Sequence, residues 1–328
     1  MPGSSPILAL DLGASRIRAG VVRPNGTVVT RADGPTRAAD GPAAVIADSI
    51  ALLERVQAQA PSATRDSIDA LGISAIGPLD LRTGRLRQPP NMPRTFADVP
   101  FSGPLGEALG LPTAIDRDTH VAALGEQAFG VARSVVDFLY LTVSTGIGGA
   151  IVADGHLVAG RDGVGGELGH LPVDMAGPLC GCGARGHLEA ISSGSAIARA
   201  ALEAIDAGRA PGLRALRDRL APDSLTARDV AAAEDAGDPI AAEIMDRARS
   251  AFAVAAVGLV DMFAPELIVV GGSLARGQGD RLLGPARAAV RELAFPIPAR
   301  RVKIVEAKLG DDVGLVGALP LVAARLGS

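Results

Sequence analysis

The chain is short of cysteine, of lysine and of long apolar or single-sign stretches, and each shortage removes a class of protein. Its only cysteines, Cys180 and Cys182, stand one residue apart. That spacing suits an ordinary disulfide poorly, so a reduced, metal-binding pair in the cytosol is the better reading. Lysine occurs only at Lys303 and Lys308, and arginine supplies the other cations. The formal net charge is -4, with Asp and Glu spread along the chain. No basic stripe offers itself to nucleic acid, and no charged tail is marked. No apolar run is long enough for a bilayer, and Pro2-Gly3-Ser4-Ser5 ahead of Ile7 to Leu10 lacks the pattern of a signal peptide. The expectation is a cytoplasmic protein with neither nucleic acid nor membrane as partner.

What is present is core-forming material. With 328 residues and 48% hydrophobic content the chain can build two lobes, each with its own core. Two segments share one plan. Leu8 to Val29 reads as strand, small-residue loop (Asp11-Leu12-Gly13-Ala14-Ser15), strand, Asn25-Gly26 turn, strand. Phe138 to Val158 repeats it, with the loop Ser144-Thr145-Gly146-Ile147-Gly148-Gly149 and the turn Asp154-Gly155. Asn-Gly and Asp-Gly favour tight hairpins because both central residues need positive φ. The reading is a duplicated α/β unit facing a shared cleft, with a small lobe at 1–116 plus 312–328 and a large lobe at 117–311. Val45, Ile46, Ile50, Leu53 and Val56 predict a helix, as does the run that starts at Asp238-Pro239 and ends before Pro265. Strand Leu267 to Val270 leads into the turn Gly271-Gly272-Ser273. Ala207 to Asp235, with Pro211, Pro222 and many small residues, reads as a surface excursion.

Three turns of small residues after buried strands suit phosphate, because backbone N–H groups can approach its oxygens there. Asp11, Gly13 and Ser15 form the first cradle, with Asp11 placed to hold Mg²⁺ through water. Thr145 and Gly146 form the second, and Gly271 and Gly272 would lie against the adenosine of ATP. A tight hairpin explains any one loop equally well, so the argument rests on all three in this order. His170, Cys180, Cys182 and His187 make a closed tetrahedral ligand set for Zn²⁺. The competing reading is two buried cysteines and two incidental histidines. A kinase needs a carboxylate to receive the proton of the attacking hydroxyl. Asp118 is the candidate, after the strand-like Leu111 to Ile115 and before a helix over Val121 to Ala128. On local sequence alone a helix N-cap explains Asp118 as well or better.

These strings together resemble the ROK family, which joins bacterial sugar kinases and sugar-responsive repressors. The resemblance runs over essentially the whole chain: Asp11–Ser15, Gly72 to Pro78, Pro90-Asn91, Asp118 before Ala122-Ala123-Leu124-Gly125-Glu126, Ser144 to Gly149, Glu167–His170, the cysteine block, Pro265-Glu266, Gly271-Gly272 and Asp311 to Gly317. It implies a two-lobed, actin-like ATPase (ribonuclease H-like) fold and a homodimer. It also implies ATP-dependent phosphorylation of a hexose or hexose derivative. By the same resemblance Asp118 is the base, Glu167, His170 and Glu189 hold sugar hydroxyls, Asn91 touches the sugar, and His170 also binds zinc. The chain departs from the family pattern at three places. Arg117 stands where Asn usually precedes the base, His120 where Asn usually follows it, and His187 where the last zinc ligand is usually Cys. Arg117 beside the base predicts a sugar with an anionic or modified group, the competing reading being that Arg117 turns away to pair with Asp116 or Glu126 and never meets the sugar.

Two other functions compete. A repressor would carry a helix-turn-helix ahead of the first loop, which the strand starting near Pro6 does not accommodate, and a gel shift would test it. A sugar- or nucleotide-binding protein with weak catalysis is motivated by Arg117 and His120, and an ATP-turnover screen separates it from a kinase.

Overall fold

The structure is a computed structural model that describes residues 5–89, 91–221 and 224–327. Pro2 to Ser4, Pro90 and Pro222, named above, lie outside the described residues. The first duplicated segment folds as β1 (Ile7–Leu12), β2 (Arg16–Val22) and β3 (Val28–Pro35). Asn25 Oδ1 accepts the Thr27 N–H at 3.0 Å and Gly26 takes φ 82°, which closes the turn. The chain continues through α1 (Pro42–Gln59), α2 (Ser62–Arg65), β4 (Leu71–Ala75), β5 (Leu79–Asp80), β6 (Arg85–Arg87), β7 (Ala97–Pro100) and α3 (Ser102–Leu109). Next come β8 (Thr113–Arg117) and α4 (Asp118–Phe129). The second segment gives β9 (Phe138–Val143), β10 (Ile147–Ala153) and β11 (His156–Leu157), with Asp154 and Gly155 both at positive φ as the turn type requires. Helices follow: α5 (Leu188–Ser192), α6 (Gly194–Asp206), α7 (Pro211–Arg217), α8 (Ala227–Asp235) and α9 (Pro239–Phe263). The chain closes with β12 (Leu267–Gly271), α10 (Ser273–Gln278), α11 (Asp280–Leu293), α12 (Pro296–Ala299), β13 (Lys303–Glu306) and α13 (Val313–Leu326).

The described chain divides into two compact units. The first comprises residues up to Val135, His156–Gly165 and Ala307 onward; the second comprises Val136–Gly155 and Gly166–Glu306. This division differs from the lobes read off the sequence, because α4 packs on α13 and β4 and so falls in the first unit.

The first unit's sheet has the order β3-β2-β1-β4-β8, with β1, β4 and β8 parallel. The register sets Asp11 beside Ser74 and Ser74 beside Asp116, and in the next row Leu12, Ala75 and Arg117. One face is covered by α1, whose Val45, Leu52, Leu53 and Val56 are buried, each contributing about 1.5–3 kcal/mol of apolar burial. The other face is covered by α13, whose Leu315, Leu319 and Val322 pack with Ile7, Ala9 and Val121. Glu126 on α4, fully buried, fixes the approach to α13: its carboxylate accepts the N–H groups of Lys308, Leu309 and Val131, each at 2.9 Å.

The second unit repeats the scheme. β9 and β12 are parallel, β13 is parallel to β12, and β10 runs antiparallel to β9. Helices α9, α10 and α11 bury Phe252, Leu259, Ala275, Leu282 and Val290 with the strand residues Leu141, Ile268 and Val270. Asp238 caps α9 as expected, accepting from Ile240 and Ala241 N–H. The stretch read as a surface excursion is instead helical. Leu213, Leu225 and Val230 are buried with Ile197, Ala201 and Met245 in a separate core. A capping box between Thr226 and Asp229 starts α8. Small residues around these few leucines masked the helical period. Among the described residues no helix is long and apolar enough to cross a membrane.

Candidate active site and metal-binding cluster

In the first unit three strand ends bring the proposed chemistry to one sheet edge. At the end of β1, Gly13 N–H donates to Arg16 O at 3.0 Å, and Thr36 Oγ1 donates to Gly13 O at 2.8 Å, latching the loop that carries exposed Ser15. Asp11 lies within β1 rather than at the loop's head. Its Oδ1 accepts from Ser74 Oγ (2.9 Å) and its Oδ2 from Arg18 (3.0 Å). Burial pushes the Asp11 carboxyl above its ordinary range, and the Ser74 and Arg18 contacts pull it partly back. Thr36 and Ser74 were not visible as site residues in the sequence, since only the register brings them near Asp11.

Two strands away β8 ends at Arg117, and Asp118 begins α4 as an exposed residue. Arg117 takes the N-cap place with extended backbone, and Asp118 Oδ1 accepts the Thr119 N–H at 2.8 Å. Two residues upstream Asp116 is 1% exposed. Burial alone would raise its carboxyl, but bonds from His120 (2.8 Å), the Arg117 N–H (2.7 Å) and Arg325 (3.0 Å) hold it below the ordinary range. Arg117, read from sequence as a substrate residue, is 3% exposed, and its guanidinium donates to His120 Nε2 and the Gly165 carbonyl. Asn91 is an exposed turn residue of the same unit.

In the second unit Ser144 to Gly146 follow β9, and Gly271-Gly272 end the adjacent strand β12. Ser144 and Ser273 hydroxyls meet at 2.9 Å, joining the two loops. Thr145, exposed, has its carbonyl held by Ser195 N–H (3.1 Å) and Ser195 Oγ (2.8 Å). Gly272 has φ 97°, and a Cβ there would lie 2.3 Å from Val143 O, so the position admits only glycine. Glu189 on α5 accepts the Ile147 N–H at 2.8 Å, which places its carboxylate against the Gly146 loop. Glu167 is exposed at the head of the short 3-10 turn Leu168–His170.

That turn delivers His170 to the cysteine block. The ligand atoms of His170, Cys180, Cys182 and His187 all lie within 4.8 Å of one another. His170 Nδ1 and His187 Nδ1 are 3.2 Å apart, Cys180 Sγ is 3.7 Å from His170 Nδ1, and Cys182 Sγ is 3.3 Å from His187 Nδ1. A tetrahedral zinc with Zn–N near 2.0 Å and Zn–S near 2.3 Å holds its ligand atoms roughly 3.3–3.8 Å apart, so these three separations suit that ion. The backbone arranges it through Cys180 N–H to Ala184 O (2.7 Å) and Gly183 N–H to Cys180 O (2.9 Å). Gly186 has φ 70°, and a Cβ there would lie 1.5 Å from Asp174 O. Burial raises the Cys180 thiol, the Cys182 N–H pulls it partly back and the Cys182 thiol adds to the rise, a cost that a bound cation would reverse.

A profile of the ROK family matches residues 7–325. A glucokinase of Thermotoga maritima is 33% identical over 325 residues, covering 98% of this chain and 98% of the relative. The solved ROK hexokinase from Thermus thermophilus superposes with a TM-score of 0.79 at 31% identity, covering 98% of this chain and 99% of the other. A ROK family glucokinase from Streptomyces griseus, solved with glucose and AMPPNP, gives a TM-score of 0.79 at 28% identity, covering 97% and 99%.

Proposed function

The chain belongs to the ROK family, and from that membership we propose that it is an ATP-dependent carbohydrate kinase, phosphorylating a hexose in the manner of a glucokinase. The observation that carries the reading is Asp118, an exposed carboxylate just past the carboxyl end of β8, in the same parallel sheet as β1, two strands away, which leads into the Asp11–Ser15 loop.

In this reaction the Asp118 carboxylate accepts the proton of the attacking sugar hydroxyl. That oxygen forms a bond to the γ-phosphorus of ATP while the β–γ bridging bond breaks and ADP leaves. Gly13, Ser15, Thr145 and Gly146 offer backbone N–H and hydroxyl groups suited to phosphates. Gly271 and Gly272 let the adenosine approach. Asp11 would hold Mg²⁺ through water, and the ion would neutralise charge on the phosphates. Glu167, His170 and Glu189, with Asn91, would hold sugar hydroxyls.

The zinc ion is part of the proposal. His170, Cys180, Cys182 and His187 would bind it, and the metal would fix the His170 ring through Nδ1, leaving Nε2 for a hydroxyl. We further read the protein as a cytoplasmic homodimer. Coupled ADP release across a panel of hexoses, with and without Mg²⁺, tests the function. Glucose or a close derivative should turn over only with magnesium, and failure of every sugar would overturn the reading.

A further inference from the structure

Arg117 and His120 stand where the family usually has asparagines, and they form one buried polar chain with Asp116 and Gly165. Asp116, Arg117 and His120 are exposed by 1%, 3% and 0%. His120 Nδ1 is 2.8 Å from Asp116 Oδ1, and His120 Nε2 is 2.7 Å from Arg117 Nη2. The same Nη2 donates to the Gly165 carbonyl. Asp116 Oδ2 accepts from Arg325 on α13 at 3.0 Å.

Donor and acceptor rules leave one arrangement. A guanidinium only donates, so His120 Nε2 must present its lone pair to Arg117. The ring proton therefore sits on Nδ1 and is donated to Asp116. Nη2 carries two hydrogens, one for Nε2 and one for Gly165 O. The links among Asp116, His120 and Arg117 are short and buried.

The ends of this chain are where the chemistry is. Arg117 is bonded through its own peptide to Asp118, the proposed base. Gly165 is two residues ahead of Glu167, a proposed sugar ligand. The segment between them is tightly turned: Gly165 N–H donates to Ala159 O at 2.7 Å, and Gly163 packs on Leu81. We infer that Arg117 and His120 are positioning residues, a clamp that ties the peptide ahead of the base to the peptide ahead of Glu167. The inference rests on the kinase reading above and deepens it. The Nη2 hydrogens go to protein atoms, so Arg117 does not select an anionic sugar, and neutral hexoses are the preferred acceptors.

Three variants and two measurements test this. In Arg117→Lys one ammonium replaces the fork, and in His120→Asn the ring acceptor is lost while Arg117 keeps Gly165. Arg117→Asn/His120→Asn removes donor and acceptor together. Misplacement of about 1 Å can cost roughly 10²-fold in rate, so both single variants should lose about 10–100-fold in kcat. KM for ATP and the melting temperature should stay near wild type, and the order of preferred sugars should be unchanged. The double variant should lose less than the product of the single losses, because each single change already breaks the Arg117–His120 contact that the two residues share. Hydrogen exchange without substrate should show faster amides over residues 159–166 in both single variants. A shift of preference from anionic toward neutral sugars in Arg117→Lys would overturn the inference and make Arg117 a substrate reader. Lost stability with unchanged kcat would overturn it in favour of a structural role. Should wild type phosphorylate no hexose, the kinase reading fails on its own. The exchange measurement then decides the clamp, and unchanged amides over 159–166 overturn it. If Arg117→Lys fails to fold, His120→Asn carries the same comparisons.

Discussion

A carboxylate that takes a proton and one that holds a metal face different requirements, and the first unit places its two candidates accordingly. Asp118 is exposed at the first residue of α4. A negative charge there gains only about 0.3–1 kcal/mol from the helix dipole. Asp118→Asn should therefore cost at most about 1 kcal/mol of stability while kcat falls by roughly 10²-fold or more, with KM little changed. A large stability loss with near-normal kcat would make Asp118 a residue that supports the start of α4 rather than the base. Asp11 is the reverse case, since burial raises its carboxyl despite Ser74 and Arg18. A folded-state value above the unfolded one means that the protonated form favours folding. That contribution is full below the ordinary carboxylate range and is lost as pH rises through the folded value. Asp11→Asn, neutral throughout, should remove this downward slope in urea-unfolding free energy between acidic and neutral pH. It should keep or raise stability at neutral pH while abolishing most magnesium-dependent turnover. An Asp11→Asn protein that is both less stable and fully active would contradict both halves.

The zinc loop is the element that the sequence displayed most openly. Four candidate ligands of two types within eighteen residues, spaced by glycines, leave few other readings, and the fold brings their atoms together. Purified protein should carry about one zinc per chain. Cys182→Ala should lose the metal and stability together, whereas His187→Cys, which restores the family's usual ligand, should keep it. Metal analysis of the three proteins purified without chelator checks this, and zinc-free wild type would refute it. The Asp154-Gly155 hairpin was equally legible, whereas at Asn25-Gly26 only Gly26 takes positive φ and the Gly26 N–H closes back on Arg23 O, so Pro24-Asn25 forms the turn centre. The partners that hold the loops were not. Thr36 on the first loop, Ser195 on the second and Gly165 on Arg117 come from distant sequence, and only strand order and packing bring them in. For the same reason Arg117 read as an open fork: nothing local to Arg117-Asp118 announces that a carbonyl forty-eight residues on will accept its hydrogen. The α7–α8 stretch was missed because a core built from few leucines among alanines has weak periodicity.

At the scale of the whole molecule the cores are kept separate. The clusters around Leu10 and Ile73, and around Leu319 and Ala9, draw on the first unit alone. Those around Phe252 and Ile268, and around Leu213 and Met245, draw on the second. All four proposed zinc ligands belong to the second unit. A chain with two cores need not unfold in one step. Removing the metal should then weaken one core and spare the other. Structural zinc contributes its binding free energy to folding. A loss of about 2–3 kcal/mol lowers the midpoint of a 150–250-residue unit by roughly 2–4 °C per kcal/mol. Calorimetry after chelation should therefore show a transition displaced downward by about 4–12 °C, with a second one unmoved. Hydrogen exchange assigns them. Amides of residues 166–306 should lose protection, while those of β1, β4, β8 and α13 keep it. Readdition of zinc should restore a single profile. Uniform loss across both units would mean that they unfold as one, and no loss at all would mean that the cysteines and histidines stand together without a structural metal.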